Sequence, residues 1–558
     1  MIPPQMQAGL SGELAELADL LEEYRSLAEE NQALAEETLR RILAKGKETE
    51  IFSEISIGSE EAERDPEKFL SALHDYLEEV AGTYVNRGLH VLGRVPEGED
   101  LEETVRAILE HSGMSREEVR GRLSGIPQEM AHLVNGLSGG FVPPGPSGAP
   151  TRGAVEVLPT GRNFFSVDPL RIPTRTAWER GVRQAEALLE RHRRDHGRVP
   201  RTLAMVLWGS PTMRTRGEDF ACALWLLGVR PRWKNDGRIS GVEVVPLSEL
   251  GRPRVDVCLT VSGFFRDAFR NLMELFDRAV AEVAAMPEPP EMNPLVEALK
   301  RDLEELCSQG LSPERARRLA LFRVFSEPPG AYGTGVETVL DAGAWKSRRD
   351  LAEVFLSTMG HAYGEGAYGA EAREALRGVL SRTEVTYKNE DTREIDILSC
   401  DCFNAYHGGL NATVEALSGR KPVSYSASTA DPERPVVRTT EEEMRFLFRI
   451  KVLNPRWIEG LKQHGFKGAG DLSRVVDLIF QWDATSDVVS DRMYEELART
   501  YALDPGMQRF FRKHNPAALL NIAERLLEAA NRGLWQNPDP EVLNRLKDLV
   551  LEMERELE

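Results

Sequence analysis

The chain has 558 residues, of which 41% are hydrophobic and 29% charged, and it carries a formal net charge of −20 at pH 7. This composition is typical of soluble globular proteins, and the length predicts about three or four domains. The negative charge argues against a nucleic-acid surface, which needs a basic patch, and no apolar run reaches the roughly 18 residues of a membrane span.

The amino-terminal part of the chain is predicted to be helical. In residues 8–46 apolar side chains recur at spacings of three and four from Leu14 to Ala28, with Glu and Arg on the opposite face. That pattern predicts one helix of a buried bundle rather than a long coiled coil. Residues 66–83 and 101–136 are also predicted to be mainly helical, so we assign 1–140 to a helical region.

A long segment rich in proline, glycine and arginine follows, at Val142–Pro173. Loops of this length without secondary structure are uncommon in compact domains, and are usually either functional or disordered. Phe164, Phe165 and the apolar run Ala154–Leu158 argue against a disordered linker. We therefore predict that residues 141–175 form an ordered loop that binds a ligand.

Residues 176–290 are predicted to form an α/β domain. A charged helix at 176–196 ends at Gly197, and helices separate the strands that follow. The strands are predicted at Leu203–Trp208, Gly241–Pro246 and Val255–Val261. Strands that alternate with helices predict a parallel sheet. Ligands of such sheets bind beyond the carboxyl ends of the strands, here at Trp208–Asp219 and Ser262–Asp267.

The rest of the chain divides into two further regions. Residues 291–440 are predicted to be mixed α/β, with Gly-rich loops at 328–335 and 360–369 and an acidic and aromatic loop at 384–410. Residues 441–558 are predicted to be helical. The expected fold class is a multidomain α/β plus α protein in which a parallel α/β sheet is flanked by helical regions.

Several common catalytic motifs are absent from the sequence. It contains no G-x-x-x-x-G-K-[ST] phosphate loop, and no G-x-G-x-x-G follows a predicted strand, so we expect any ATP to be bound and hydrolysed by a partner. Its one G-x-S-x-G match, at Gly136–Gly140, follows a predicted helix rather than a strand, so the sequence predicts no strand-to-helix elbow for a nucleophilic serine.

The five cysteines are few and odd in number. Together with the lack of an export signal at the amino terminus, they predict a reducing, cytoplasmic location. Cys400 and Cys402 are one residue apart and no second pair exists, so a structural zinc site is not favoured. Asp401 and His407 are candidates for a transient metal site, because carboxylate and imidazole both bind divalent first-row ions.

Charged residues suggest a pocket. The run Lys388–Asp396 packs four acids and two bases into nine residues and leads into Asp401, Phe403 and Tyr406–Gly409. Such a run is usually a solvated face, but beside aromatics it suggests a pocket wall where a carboxylate of raised pKa acts as a base. Arginines also recur at the predicted loops. They favour an anionic ligand, and salt bridges to neighbouring acids are the alternative.

Eleven segments, spread along nearly the whole chain, together resemble one protein family. They are LHVLGRVP (Leu89–Pro96), Val142–Pro173, Leu207–Val229, Val244–Asp267, Glu291–Pro294, Ala331–Gly335, Tyr387–Asp396, Tyr406–Ala412, Val452–Trp457, Gln481–Ser486 and Leu519–Gln536. In this order they resemble the family of cobaltochelatase large subunits and magnesium chelatase H subunits. The details of YHGG, NPRW and WDATS resemble the cobalt branch.

The resemblance implies the large, tetrapyrrole-binding subunit of an ATP-dependent cobaltochelatase, a ligase that inserts Co2+ into hydrogenobyrinic acid a,c-diamide in cobalamin biosynthesis. It also implies two partners: an AAA+ subunit that carries ATP and Mg2+, and that subunit's partner with a metal-ion-dependent adhesion site. The alternatives are a magnesium- or nickel-inserting chelatase subunit and a non-catalytic tetrapyrrole-binding scaffold.

Residue type and family position together give the candidate site residues. Those for proton removal or metal delivery are Glu218, Asp391, Asp396, Asp401 and His407, of which Asp401 and His407 are also the metal candidates. Those for substrate binding are Arg152, Asn163, Phe164, Trp208, Arg214, Phe265, Arg266 and Tyr332. The aromatic side chains are expected to cover the ring and the arginines to bind its carboxylates.

Two features depart from the family pattern. The family's large subunit is about twice as long, and its upstream half carries a His-Gly-Asn-Leu-Glu-Trp-x-Pro-Gly-Lys segment that this sequence lacks. The chain therefore resembles the carboxy-terminal half only. It is a fragment, one piece of a split subunit that pairs with a separate upstream half, or a shortened relative. The cobalt branch usually shows Asp-Ser-Asp-Asp where this chain has Ser399-Cys-Asp-Cys402. Those cysteines either shift the metal preference or have no role.

Overall fold

The computed structural model describes residues 3–558. The chain divides into two compact units. One unit takes residues up to 107 together with 441–480 and 488–558, and the other takes 108–440 and 481–487. The predicted amino-terminal and carboxy-terminal helical regions thus contribute to the same unit.

The strands differ in length from three to six residues. They are β1 (Gln5–Gln7), β2 (Tyr84–Asn86), β3 (Pro144–Pro146), β4 (Asn163–Phe165), β5 (Thr202–Leu207), β6 (Val229–Trp233), β7 (Ile239–Val244), β8 (Asp256–Val261), β9 (Val324–Ser326), β10 (His361–Gly364), β11 (Ala367–Glu371), β12 (Val385–Glu390), β13 (Val423–Ser428) and β14 (Val436–Thr439).

Helices make up most of the remaining chain. Up to residue 200 they are α1 (Gly12–Glu30), α2 (Gln32–Glu48), α3 (Ile51–Glu54), α4 (Ser59–Arg64), α5 (Pro66–Gly82), α6 (Gly98–Leu109), α7 (Arg116–Leu123), α8 (Gln128–Leu137) and α9 (Arg175–His196). From 201 to 439 they are α10 (Gly209–Thr215), α11 (Glu218–Leu227), α12 (Leu247–Leu250), α13 (Gly263–Ala268), α14 (Arg270–Ala284), α15 (Pro294–Ser308), α16 (Pro313–Leu321), α17 (Val336–Asp341), α18 (Arg348–Met359), α19 (Arg373–Leu380), α20 (Asp401–Phe403) and α21 (Gly409–Ser418). The last are α22 (Thr440–Leu447), α23 (Pro455–Lys462), α24 (Gly465–Ser486), α25 (Asp491–Leu497), α26 (Pro505–His514), α27 (Pro516–Asn531) and α28 (Pro540–Leu557).

An eight-stranded sheet forms the centre of the second unit, in the order β11-β10-β9-β8-β5-β12-β13-β14. The five strands from β9 to β13 in that order are parallel, whereas β11, β10 and β14 pair antiparallel at the two edges. This mostly parallel sheet confirms the predicted α/β plus α fold class. It takes strands from both the predicted α/β domain and the predicted mixed region.

The parallel strands are buried on both faces. All six residues of β8 are buried, and so are five of the six in β5. Continuous apolar runs of this kind are typical of parallel strands covered by helices on both sides. The core that results includes Met205, Leu207, Leu259, Val261, Phe265, Phe276, Tyr387 and Tyr425.

The predicted strands Leu203–Trp208 and Val255–Val261 correspond to β5 and β8, with boundaries that differ by one residue. The predicted strand Gly241–Pro246 corresponds to β7, but β7 pairs antiparallel with β6 in a separate two-stranded sheet. The segment 360–369, predicted as a loop, is the β10–β11 hairpin. Its turn contains Gly366 at φ 71°, a conformation that glycine adopts without steric cost.

The predicted helix at 8–46 is wrong in one respect, because it breaks at Asn31 into α1 and α2. Asn31 has an extended backbone, and its side chain accepts a hydrogen bond from Leu34 N, which caps α2. The predicted helix 176–196 is confirmed as α9. Thr174 caps its start and Gly197, in the left-handed region, ends it.

The long segment Val142–Pro173 contains short pieces of structure. Its strands β3 and β4 pair in parallel, and 3-10 turns form at Pro150–Arg152, Val155–Val157 and Pro169–Arg171. Three π-helical turns occur elsewhere, at Asn404–Gly408, Phe448–Val452 and Ala498–Ala502. Among the described helices, none is both long and apolar enough to span a bilayer.

Candidate functional site

A cleft of about 390 Å³ lies in the second unit, at the carboxyl ends of the parallel strands. Arg214 and Arg216 follow β5, and Asp391 follows β12. Arg152, from the long Pro/Gly segment, donates from Nε to the carbonyl oxygen of Thr429 at 3.0 Å, just after β13. The position agrees with the general rule for ligand sites of parallel sheets.

Arg214 and Asp391 form a paired wall of the cleft. The guanidinium donates from Nε to Oδ2 at 2.9 Å and from a terminal nitrogen to Oδ1 at 2.6 Å. Burial alone would raise the pKa of Asp391, but the Arg214 charge and hydrogen bonds hold that pKa below its ordinary value. Asp391 is therefore a permanent carboxylate next to the cleft.

Glu218 lies under the cleft at the start of α11. It is almost completely buried, forms an ion pair with Arg152, and has Oε1 3.4 Å from a terminal nitrogen of Arg180. Burial raises the pKa of Glu218 above its ordinary value, although Arg152 opposes that shift. Arg180 has a second donor, Nε, that is buried, lies 3.9 Å from Glu433 Oε1 and makes no hydrogen bond among residues 3–558.

Arg216 is the exposed arginine of the cleft. Its backbone is left-handed, with φ 57°, which turns the chain between α10 and α11. Within the part of the chain that the structure describes, no hydrogen-bond or ion-pair partner meets its guanidinium group. Its donors are available to an anionic ligand.

Behind the cleft lies a set of buried polar side chains from β12 and α11. Asp219 accepts hydrogen bonds of 2.9 Å from Gln184 and from Asn389, and burial raises its pKa. Lys388 Nζ lies 2.8 Å from Glu390 Oε1. Burial raises the pKa of Glu390 from its ordinary 4.5 to about 7, against the opposing charge of Lys388. Glu390 therefore titrates near neutral pH, as a general acid or base should.

Aromatic side chains surround Lys388. Its ammonium group lies 4.6 Å from the centre of the Trp208 ring and 5.7 Å from that of Phe403. The two rings are themselves 4.5 Å apart, and Trp208 also meets Tyr406 edge-on. The Trp208 Nε1 donor is buried and finds no acceptor among residues 3–558, so it remains available to a ligand acceptor.

Arg266 is already saturated by its protein partners. It is fully buried, donates to both carboxylate oxygens of Asp267, and also donates to the carbonyl oxygens of Pro328 and Ala331. This contradicts the expectation that Arg266 binds a substrate carboxylate, because its donors are used to fix the loop. Tyr332, two-thirds exposed, donates to Asp267 at 2.6 Å and covers Arg266 with its ring.

The candidate aromatic residues divide between core and surface. Phe265 is fully buried and packs on Phe269, so it has no face to offer a ligand, contrary to expectation. Its neighbour Phe264 is exposed instead. In β4, Asn163 and Phe164 are both exposed, and their predicted role in substrate binding stays a prediction.

The remaining candidates lie near the loop that follows β12. Asp396 accepts hydrogen bonds from Leu398 N at 2.9 Å and Ser399 Oγ at 3.0 Å, so it stabilises a turn. His407 is buried, with Nε2 3.1 Å from Ser424 Oγ, and its ring meets Trp482 edge-on. Burial, with the nearby charge of Lys388, lowers the pKa of His407 to about 3.

Ligand atoms that could hold a metal come together elsewhere than at His407. Among residues 3–558 the atoms of Cys400, Asp401 and Cys402 lie within 4.8 Å of one another, and His407 is outside this group. Asp401 thus comes together with its two neighbours, and the Asp401–His407 metal site expected from the sequence stays a prediction.

The YHGG and WDATS segments meet at Gly408. Asn404 Oδ1 accepts a hydrogen bond of 2.6 Å from Thr485 Oγ1, and a Cβ atom at Gly408 would overlap both of those oxygens. Trp482 Nε1 donates to the Ile397 carbonyl oxygen at 2.9 Å. The two segments thus position the π-helical turn that carries His407, and π-turns are frequent near functional sites.

Several residues of the site were not predicted as such. Glu390, Lys388 and Arg180 carry charge in or behind the cleft, and Arg216 supplies its free guanidinium. The charged run Lys388–Asp396 signalled a pocket wall, but only burial distinguishes Glu390 from the acids around it.

A family model and individual relatives place the chain in the same family. The family described as CobN/Magnesium Chelatase matches residues 1–122 and 114–542. The aerobic cobaltochelatase subunit CobN of Pseudomonas aeruginosa is 47% identical over 429 residues, covering 77% of this chain and 34% of that protein. The H subunit of the magnesium chelatase of Chlorobaculum parvum is 36% identical over 471 residues, covering 84% of this chain and 36% of that protein.

A solved structure is also similar. The catalytic subunit of cobaltochelatase from Mycobacterium tuberculosis superposes with a TM-score of 0.94 and 36% sequence identity, covering 99% of this chain and 52% of the other. The chain thus spans between about a third and a half of the length of these relatives.

Proposed function

Because the chain belongs to the CobN/magnesium chelatase family, we propose that it is the tetrapyrrole-binding part of an ATP-dependent cobaltochelatase. The reaction inserts Co2+ into hydrogenobyrinic acid a,c-diamide. The observation that carries the proposal is the cleft at the carboxyl ends of β5, β12 and β13, lined by four arginines. Guanidinium groups suit a macrocycle whose edge carries carboxylates and amides.

Two of those arginines bind the substrate in this proposal. Arg216 has an exposed guanidinium, and Arg180 keeps a buried Nε donor that makes no hydrogen bond among the described residues and lies 3.9 Å from Glu433 Oε1. Arg152 and Arg214 are held by Glu218 and Asp391, so they supply positive charge to the wall and act mainly by position. Arg152 and Arg214 were predicted to bind the substrate directly. We propose instead that they attract it through their positive charge.

Insertion of the ion requires loss of the ring N–H protons, and so needs a proton acceptor. Glu390 is the best placed by acidity, since its pKa of about 7 allows it to take a proton at neutral pH and return it. Asp391 stays ionised beside Arg214, and both of its oxygens accept hydrogen bonds from that arginine, so in this proposal it holds Arg214 in the cleft wall. Glu218, Asp396, Asp401 and His407 remain proposals for the same tasks.

The choice of cobalt rests on the relatives. The cobaltochelatase subunit of Pseudomonas aeruginosa shares 47% identity with this chain, and the magnesium-chelatase subunit of Chlorobaculum parvum shares 36%. A magnesium-inserting subunit is the second candidate, favoured by the longer coverage of this chain in the magnesium alignment, 84% against 77%. In either case ATP is bound by an AAA+ partner, since the sequence lacks a phosphate loop.

The test is a fluorescence-quenching titration of the full chain, which has eight tryptophans. The ligands are hydrogenobyrinic acid a,c-diamide and, as the magnesium-branch control, a porphyrin. Saturable quenching at micromolar concentration by the corrinoid, and weaker quenching by the porphyrin, supports the proposal. Preference for the porphyrin supports the magnesium alternative, and no quenching by either contradicts tetrapyrrole binding by this chain.

A further inference from the structure

Cys400, Asp401 and Cys402 form a compact group outside the arginine cleft. The two cysteines are disulfide-paired, with Cα atoms 5.2 Å apart. Asp401 Oδ1 lies 3.3 Å from Cys400 Sγ and 3.8 Å from Cys402 Sγ. Two sulfurs and one carboxylate oxygen are therefore held together within three consecutive residues.

The backbone fixes the position of this group, and solvent can reach it. The amide of Cys402 donates to Cys400 Sγ at 3.3 Å, as Cys400 caps the helical turn that begins at Asp401. Once the cysteines are reduced, the thiolate is the form that binds metals. Cys400 and Asp401 are half-buried and Cys402 is exposed, so ions and thiols in solution can reach them.

The spacing of the ligand atoms suits a tetrahedral ion. All three lie within 4.8 Å of one another. Two ligands at about 2.3 Å from a tetrahedral ion stand about 3.8 Å apart, so small side-chain rotations suffice to bind one. Thiolate sulfur selects thiophilic ions such as Co2+ and Zn2+ over Mg2+, which prefers oxygen ligands alone.

We propose that Cys400, Asp401 and Cys402 bind one thiophilic divalent cation, such as Co2+ or Zn2+, when the two cysteines are reduced, and cannot bind it when they are joined. Water completes the coordination. The position is distinct from the Asp401–His407 pairing expected from sequence, because His407 is buried against Ser424. We call these three residues the thiol clip.

The redox step balances with an external thiol. Two molecules of a small thiol reduce the disulfide: the S–S bond breaks, each cysteine sulfur gains one electron and one proton, and the external thiols are joined as a disulfide. Binding of the cation then displaces the two cysteine protons to solvent. Oxidation by a small disulfide reverses the sequence and releases the ion.

The clip is close to the candidate site along the chain. Phe403, directly after Cys402, packs on Trp208 with ring centres 4.5 Å apart, and Trp208 follows β5. The clip is thus connected through Phe403 to the residue that follows β5. The inference concerns ion binding alone and does not depend on the proposed tetrapyrrole function.

The experiment titrates the full chain with Co2+ under argon, after reduction and removal of the reductant, and records the thiolate-to-cobalt charge-transfer absorption. We expect saturation at one Co2+ per chain and displacement by Zn2+. The variant Cys400→Ser/Cys402→Ser should lose the band and about a hundredfold or more in affinity. Cys307→Ser is the matched control, because Cys307 is the other cysteine that is not fully buried, and it should behave as the wild type.

Two further samples complete the test. Wild type treated with a small disulfide should lose the band, and Asp401→Asn should keep the band with weaker binding. Absence of the band in reduced wild type, or an equal band in the double variant, overturns the proposal. Thermal unfolding of each variant confirms folding, and the single variant Cys402→Ser, at an exposed position, provides the test if the double variant does not fold.

Discussion

Arg214 holds Asp391 through two parallel hydrogen bonds, of 2.9 Å and 2.6 Å, and so joins α10, which follows β5, to the end of β12. Asp391 is fully buried, whereas about a fifth of the Arg214 side chain is exposed. The pair therefore links two adjacent parallel strands of the sheet, β5 and β12, while Arg214 presents positive charge to the cleft.

Removal of Arg214 should destabilise the second unit. In Arg214→Ala the Asp391 carboxylate is left buried without its counter-charge, and we expect a loss of about 3–5 kcal/mol in the free energy of unfolding. Urea denaturation at neutral pH measures the loss. Arg420→Ala, which removes an exposed arginine of the same unit, is the matched control and should change stability by less than about 0.5 kcal/mol.

The Asp391 pair also predicts a sensitivity to acid. The folded pKa of Asp391 is below its ordinary value of 3.8, so the unfolded chain binds more protons below that pH. The stabilisation is complete above about pH 4 and is lost as the pH falls through the folded pKa. Asp391→Asn should flatten this part of the curve of stability against pH, and an unchanged slope would contradict the assignment.

The parallel strands of the core were predictable because each one is a short, continuous apolar run in the sequence. The run Leu203–Trp208 is apolar without interruption, and a strand buried on both faces requires that pattern. The edge hairpin of β10 and β11 was missed since its strands are short, partly exposed and rich in glycine. The break at Asn31 was missed because the apolar spacing of the helix continues on either side of it.

The site was predictable only in part. The charged run after Tyr387 and the arginines after β5 indicated a pocket, and Asp391, Arg214 and Arg216 from these segments line the cleft. Arg266 and Phe265 looked equally suitable by residue type, but neighbours distant in sequence saturate Arg266 and bury Phe265. Burial also sets the acidity of Glu390, and burial depends on the tertiary structure.

Glu390 predicts a pH dependence of opposite sign to that of Asp391. Its pKa rises from 4.5 to about 7 on folding, so the folded chain binds more protons between those values. The protonated form of Glu390 stabilises the folded chain fully below about pH 4.5. This contribution to the free energy of unfolding, on the order of 3 kcal/mol, is lost as the pH rises to 7. Glu390→Gln should remove this slope in urea denaturation measured from pH 4.5 to 8.

The control for Glu390 is Glu304→Gln, which changes an exposed glutamate on α15. It should leave the slope of the wild type intact. If Glu390→Gln also retains the slope, Glu390 is not the group that titrates near neutral pH, and its proposed role as proton acceptor is contradicted.

Arg216 should affect ligand binding without affecting stability. No partner among residues 3–558 meets its guanidinium, so Arg216→Ala leaves no buried charge unpaired and should change the free energy of unfolding by less than about 0.5 kcal/mol. Loss of a charged hydrogen bond to a substrate carboxylate should raise the dissociation constant for hydrogenobyrinic acid a,c-diamide roughly ten- to a hundredfold. Quenching titrations of Arg216→Ala and of Arg420→Ala as control decide this, and equal affinities in the two would remove Arg216 from the binding site.

Gly408 should tolerate no side chain. A Cβ atom there would overlap Asn404 Oδ1 and Thr485 Oγ1, which are hydrogen-bonded to each other. Because both atoms lie in a buried, close-packed region, Gly408→Ala should cost about 1–3 kcal/mol in the free energy of unfolding.

The matched control is Gly121→Ala in α7, where nothing lies within 4 Å of the added methyl group. That change should instead stabilise the protein by about 0.4–1 kcal/mol, because it reduces the freedom of the unfolded chain. Equal effects of the two substitutions in urea denaturation would show that Gly408 is not packed against the Asn404–Thr485 pair, and that the YHGG and WDATS segments do not fix the π-helical turn of His407 in this way.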